Sequence, residues 1–414
     1  MNGGLNQVVL SIAQSASEGF MLEDGDALAS LFVFSDTVIT QLGSAISNVQ
    51  DFAPYQAAIL DEPFARFTAA YLTYVRDYSH SDASQRSKGM YHVADMFIPV
   101  FSPPGRHWLV RVLRSIAASL YQVAQIEDRA EMGSSAAHVQ AASRLQSMLM
   151  SVLSDRDQLP ESKHMGALFV AGLLVRVSLK IGAMPPAHAA VSNVAKAGLD
   201  FAYFSLRDQM TYKYWIGRYY LVCYRFEAAH RELEYAFNAC PAYHEHNKHA
   251  ILRHLVVANM IRGRLPTHYL LTKYDVEPVY GFLIHHFRQG NVAAFQTILM
   301  DNMEFFRSQG TFLILYERTE ILMYRNVLKK VRNILAEGTQ QHRAIPYKHI
   351  LTAFQMASRN PNMDVPEMES IVSSLISQKY VHGYLFHHQQ LLNLGSKTQF
   401  PPIKDVILPG GFEG

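Results

Sequence analysis

The chain has 414 residues, 49% of them hydrophobic, and a formal net charge of +2, so it can bury a sizeable core and is not disordered by composition. So mild a balance excludes binding of nucleic acid through bulk charge; such a role needs a local concentration of cations. One exists: residues 1–241 hold 19 Lys and Arg against 22 Asp and Glu, whereas residues 242–414 hold 18 against 13, together with 12 of the 19 histidines.

Apolar residues recur every three or four positions along almost the whole chain, and alternating patterns are missing until about residue 380, so helices are expected throughout. They are predicted over 5–20, 25–48, 52–61, 63–79, 87–99, 106–125, 136–154, 164–182 and 187–200. The breaks carry helix stoppers such as Pro103-Pro104-Gly105, Gly133, Pro160 and Pro185-Pro186. The most apolar stretch, 165–181, is interrupted by Arg176 and Lys180, and the first residues lack the basic start and apolar run of a secretory signal. No membrane span is expected.

Between 207 and 241 the pattern sharpens. Gly217, Tyr220, Ala229, Ala236 and Pro241, with Leu233 in the Phe position, have the spacing of a tetratricopeptide repeat. Small residues let two antiparallel helices approach, and one repeat implies stacked helical neighbours. Helices follow over 243–262, 267–274, 276–288, 291–300 and 301–308. A long amphipathic helix covers 311–336, with Leu328, Val331 and Leu335 as its buried stripe and Gly338 closing it.

The texture then changes to a short extended stretch at 343–345, helices at 346–357 and 365–378, and two strand-like segments at 380–386 and 389–394. That is the order of a winged helix. The tail from Ser396, rich in Pro and Gly, is expected to hug the surface or fray. The predicted fold is all-α, a tetratricopeptide- or HEAT-like solenoid running into a winged helix. Its parts are N-terminal repeats over 1–205, a repeat-like part over 206–310, the winged helix over 311–395 and a tail over 396–414.

Helical repeats running into a winged helix resemble the PCI fold of the proteasome lid, the signalosome and translation initiation factor three. The stretches Tyr214-Trp215-Ile216-Gly217-Arg218, Gly263-Arg264-Leu265-Pro266-Thr267, Gly310-Thr311-Phe312-Leu313-Ile314-Leu315, Tyr324-Arg325-Asn326-Val327-Leu328-Lys329-Lys330-Val331 and Phe400-Pro401-Pro402-Ile403 resemble one branch of that family. It holds the PCI subunit of the transcription-coupled mRNA export complex TREX-2 and the twelfth signalosome-associated subunit. Gly105-Arg106-His107-Trp108 and Met165-Gly166-Ala167-Leu168 match more loosely. The resemblance implies a nuclear scaffold subunit, also placed in the cytoplasm in some settings, that pairs with a second PCI protein and a small acidic disordered peptide and serves mRNA export or RNA processing.

Local charge points the same way. From Arg318 to Arg359 eight Lys or Arg face two acids, Glu320 and Glu337. Arg325, Lys329 and Arg332 fall at i, i+4 and i+7, so on an ideal helix they form one stripe opposite Leu328, Val331 and Leu335. Like charges so placed are mutually unfavourable, which suggests an anionic partner, although a solvated helix face reads the same way. The candidate binding residues, for nucleic-acid phosphates or an acidic partner, are Arg325, Lys329, Lys330 and Arg332, then Arg343, Lys348 and Lys379; Gly310 and Tyr324 look structural.

The helix that would enter a major groove carries Asp364, Glu367 and Glu369 and no cation before Lys379, so base-specific reading is not expected. Contacts through the wing (Lys379, His382, His387, His388) and Lys397 would be salt-sensitive and indifferent to sequence. His244, Glu245, His246 and His249 lack the spacing of a zinc helix and read as a polar helix start, so no metal is assigned. Cys223 and Cys240 are too few for a disulfide framework and read as packing residues of a reducing compartment. No nucleotide loop, dinucleotide fingerprint, nucleophile elbow or kinase motif is present; no catalytic residue, cofactor or small-molecule substrate is assigned. The alternative to a nucleic-acid platform is a pure assembly subunit of a signalosome- or lid-like complex.

Overall fold

The computed structural model describes residues 6–131, 134–336 and 343–406, so Gly133, Glu337, Gly338 and the end of the tail lie outside the described residues. The chain forms two compact units, divided between Ile216 and Gly217.

The first unit contains α1 (Gln7–Met21), α2 (Gly25–Leu31), α3 (Asp36–Ile46), α4 (Ala53–Gln56), α5 (Glu62–Asp77), α6 (Ala83–Phe101), α7 (Val110–Ala130), α8 (Ala136–Leu153), α9 (Ala167–Ile181) and α10 (Met184–Lys196), and α11 (Leu206–Val222) starts within it. From α5 to α10 each helix packs on the next, as short connections between antiparallel helices dictate. Starts are set by caps: Asp61 accepts from the Phe64 N–H at 2.9 Å, and Asp82 with Gln85 forms a reciprocal capping box. Gly182, at φ +72°, ends α9. The stretch Lys163–Ile181 is long and apolar enough to cross a membrane, and in this unit α7, α8 and α10 pack against α9.

One expected helix, 25–48, is two helices, α2 and α3, bent by 74°. The break lets Phe32 turn inward, fully buried against Phe64, Phe67 and Tyr71. The carbonyl of Val33 released by the break accepts from the Tyr71 hydroxyl at 2.9 Å. Neither partner is adjacent in sequence, so apolar spacing reads straight through the bend. The expected helix 52–61 is likewise only the single turn α4.

The second unit adds α12 (Phe226–Ala239), α13 (Glu245–Ile261), α14 (His268–Lys273), α15 (Glu277–Gln289), α16 (Val292–Asp301), α17 (Met303–Gln309) and α18 (Phe312–Ala336). The tetratricopeptide spacing has its physical cause here: a Cβ on Gly217 would lie 2.7 Å from Leu233 Cγ, and Ala229, Leu233 and Ala236 are all fully buried. The winged helix follows as β1 (Ala344–Pro346), α19 (Tyr347–Ser358), α20 (Val365–Ser377), β2 (Gly383–Phe386) and β3 (Leu391–Leu394). Its antiparallel sheet has the order β1-β3-β2, with Leu392 opposite both Ile345 and Leu385. Ile345 and Leu392 are fully buried under the helices.

Helix α18 is the axis of this unit, touching α13, α15, α16, α17, α19 and α20. Gly310, at φ +71°, ends α17 and turns the chain into it; Tyr324 is buried against Phe354, with ring centroids 4.7 Å apart. Gly290 is also constrained, because a Cβ there would meet Val327 Cγ2 at 2.6 Å.

Two measurements check this packing. Gly217→Val should destabilise the second unit by about 1–3 kcal/mol in chemical denaturation, and adding Leu233→Ala should recover part of that loss, since overpacking and cavity offset each other. His254 is 1% exposed between the carbonyls of Ala250 and Gln309, and burial lowers its pKa from 6.5 to about 3. The unfolded chain therefore takes up a proton there that the folded chain refuses. Stability should fall as pH drops from about 6.5 towards 3, by up to about 1.4 kcal/mol per pH unit from this site, and His254→Leu should remove that component of the slope.

Candidate functional site: a basic cleft beside the winged helix

Of the residues expected to form a charged stripe, the structure keeps only part on the surface. Lys329 and Lys330 are exposed, Arg332 is half-buried, and Arg325 is 5% exposed. The stripe fails at Arg325 because helices surround this stretch of α18, so its neighbours Leu322, Met323, Tyr324, Val327 and Leu328 are all buried and no single apolar face exists there. The regular one-sided pattern holds only in the last turns, where Val331 is buried and Asn333 and Ile334 are exposed. Leu335, expected in the buried stripe, is only half-buried.

Arg325 instead anchors the segment after β3. Its Nη2 donates to the Pro401 carbonyl at 2.6 Å, its guanidinium lies 5.9 Å from the centre of the Phe400 ring, and burial pulls its pKa down. This segment, expected to hug the surface or fray, is a strap. The His382 N–H donates to the Gln399 carbonyl at 2.9 Å, and His382 Nδ1 lies 2.8 Å from the Thr398 carbonyl. At its far end Ile403 packs on Gly263, where φ is +71° and an added Cβ would sit 2.7 Å from the Ile403 side chain. The strap thus ties the wing to the loop between α13 and α14.

Between that loop, the end of α15, α18 and the strap lies a cleft of 540 Å³. Its cations are Arg262, Arg264, Arg288, Arg325, Lys329, Lys330 and Lys404, and no acid lines it. Arg262 is already neutralised by Glu227 through bonds of 2.7 and 2.8 Å, and Arg325 is held by the strap. Lys330 donates to the Gln289 carbonyl at 2.8 Å, a lysine closing the negative end of α15. Among the described residues no carboxylate pairs with Arg264, Arg288, Lys329, Lys330 or Lys404. Sequence reading passed over Arg264, Arg288 and Lys404 because none of them lies in the basic run from Arg318 to Arg359. The available signal was that Gly263–Thr267, Tyr324–Val331 and Phe400–Ile403, three of the family-like stretches, all contribute to this cleft.

Arg343, Lys348 and Lys379 are exposed on the winged helix and do not line the cleft. Arg343 leads into β1, Lys348 is in the first turn of α19, and Lys379 sits at φ +63° after α20. The wing histidines divide: His382 holds the strap, His387 binds Glu369 at 2.8 Å, and His388 is exposed. That bond holds the Glu369 carboxyl below the usual range. Asp364 caps α20 through the Glu367 N–H at 2.9 Å, which leaves Glu367 exposed at the helix start. His249 accepts from Arg253 at 2.9 Å, and burial raises the thiol pKa of both Cys223 and Cys240.

Removing the anchor tests this construction. Arg325→Ala should cost about 2 kcal/mol, the range for a buried hydrogen bond to a charged group. It should also raise hydrogen exchange at the His382 amide, while exchange in α5 to α9 stays unchanged.

Residues 299–396 match the PCI domain. The chain is 26% identical over 402 residues to PCI domain-containing protein 2 of Danio rerio, covering 95% of this chain and 97% of that protein. It is 33% identical over 230 residues to the Caenorhabditis elegans homolog of that protein, 55% of this chain and 52% of the relative. Enhanced ethylene response protein 5 of Arabidopsis thaliana is 26% identical over 322 residues, 76% of each chain. With the winged helix in place and the similarity extending along nearly the full length, the chain is a PCI-domain protein homologous to PCI domain-containing protein 2.

Proposed function

We propose that this chain is a non-catalytic scaffold subunit of a TREX-2-like mRNA export complex, or of a related RNA-processing complex, acting in the nucleus. Its winged helix packs beside that of a second PCI protein, and a small acidic disordered peptide braces the helical part, paying its ordering entropy on binding. Together the PCI pair presents a basic surface that holds RNA or DNA through phosphates without reading sequence.

The observation that carries this reading is the separation of charge within the second unit. Cations without carboxylate partners among the described residues, Lys329, Lys330, Arg343, Lys348 and Lys379, are exposed on α18 and the winged helix, while the start of α20 keeps Asp364 and Glu367 exposed. Phosphates are attracted to the first set and repelled from the second, so the recognition helix is a poor reader of a major groove.

The test uses the full chain recovered with its native partners. Mass identification should find a second PCI protein and a small acidic subunit, and fluorescence anisotropy should show RNA binding that weakens as salt rises. Charge reversal belongs on exposed positions: Lys329→Glu with Lys348→Glu should lower affinity about tenfold and flatten the salt dependence, with assembly intact. Arg325→Glu is unsuitable because it would bury a carboxylate. Recovery with signalosome subunits alone, without RNA affinity, would favour a pure assembly role instead.

A further inference from the structure

The exposed cations of the winged helix and those of the cleft are separate sets, and only the second converges on a concavity. Arg264 comes from the loop after α13, Arg288 from the end of α15, Lys329 and Lys330 from α18, and Lys404 from the strap. Four segments distant in sequence therefore aim one sign of charge at one space, an arrangement that is unfavourable unless an anion occupies it. Donors there also exceed acceptors: Arg262 Nη1 and Arg325 Nε, both on lining residues, are buried without an acceptor among the described residues.

The shape of the cleft narrows the class of anion. Along α18 its wall runs from Arg325 to Asn333, about 12 Å at the rise of an α-helix, and the cations of the other segments border that length. A wall of that length suits an extended polyanion better than a compact polyphosphate. The strap and the 262–265 loop meet where Ile403 packs on Gly263, so together they border the cleft beside α18. Phe400 adds an aromatic surface to the strap wall, and guanidinium groups meet phosphates through paired N–H donors. A basic groove with an aromatic wall is the general solution for single strands.

We propose that this cleft is the seat of a single-stranded nucleic-acid segment, its phosphates on Arg264, Arg288, Lys329, Lys330 and Lys404 and a base against Phe400. The inference rests on the nucleic-acid reading above and assigns that binding to the cleft and to single strands. The strap is then part of the binding site as well as a structural tie.

Anisotropy of the full chain with its partners tests it, using a short labelled oligouridylate, a DNA duplex of the same length and a polyglutamate peptide. The single strand should bind more tightly than the duplex. Arg264→Glu with Arg288→Glu, both exposed, should weaken oligouridylate binding about tenfold and reduce the salt slope by roughly 1.4, whereas Arg343→Glu with Lys379→Glu should weaken it clearly less than the cleft pair does. Photo-crosslinking of the bound oligouridylate should mark residues 400–404. If the cleft pair binds like the parent and the winged-helix pair loses affinity, the seat is wrong and the nucleic-acid reading stands. Binding of neither nucleic acid by the parent overturns both. Polyglutamate competing as well as oligouridylate makes the cleft a site for an acidic peptide and overturns the inference. Melting curves of each variant separate lost binding from lost folding.

Discussion

The second unit depends on one constraint, the enclosure of α18 by six other helices. A helix covered on so many sides cannot keep a long cation such as Arg325 on an outer face; the guanidinium is buried and needs a strong acceptor. The Pro401 carbonyl supplies it, and this fixes the strap, which in turn reaches Ile403 to Gly263. The cleft follows from that chain of contacts: its floor is α18, and one wall exists only because a buried charge required a partner.

The same constraint explains why Lys329 and Lys330 differ from Arg325 although all three are basic and within six positions. They emerge where α18 is bordered by the end of α15, whose terminal carbonyls are themselves electronegative. Lys330 closes one of them, and Asn326 donates to the Phe287 carbonyl. Part of the charge in the cleft thus serves α15, while Lys329 and the exposed arginines lack that local duty.

Much of the architecture was legible in the sequence because it follows from local rules. Helix positions follow apolar spacing, the winged helix follows the order of elements, and Gly217 with Leu233 follows from the closeness of two helices. What escaped depends on distant contacts. The bend between α2 and α3 is held by Tyr71, and the burial of Arg325 follows from helices that a helical wheel does not contain. The strap was legible only as a tail that hugs the surface or frays, and its anchors were not, because prolines and glycines carry no periodicity. For the candidate site, Lys329 and Lys330 were legible as a local cluster; Arg264, Arg288 and Lys404 were not, since only folding brings their separate stretches to one cleft.

The strap also orders events in time. Residues 398–404 follow everything they hold in the second unit, so during synthesis α18 is made with Arg325 still lacking its acceptor, and Gly263 waits uncovered until Ile403 arrives. These are contacts of long sequence separation, which close late because the intervening chain must first be ordered. The helical framework of the unit is thus laid down before its cleft, and a nascent chain would carry the same cations spread on an unfinished surface.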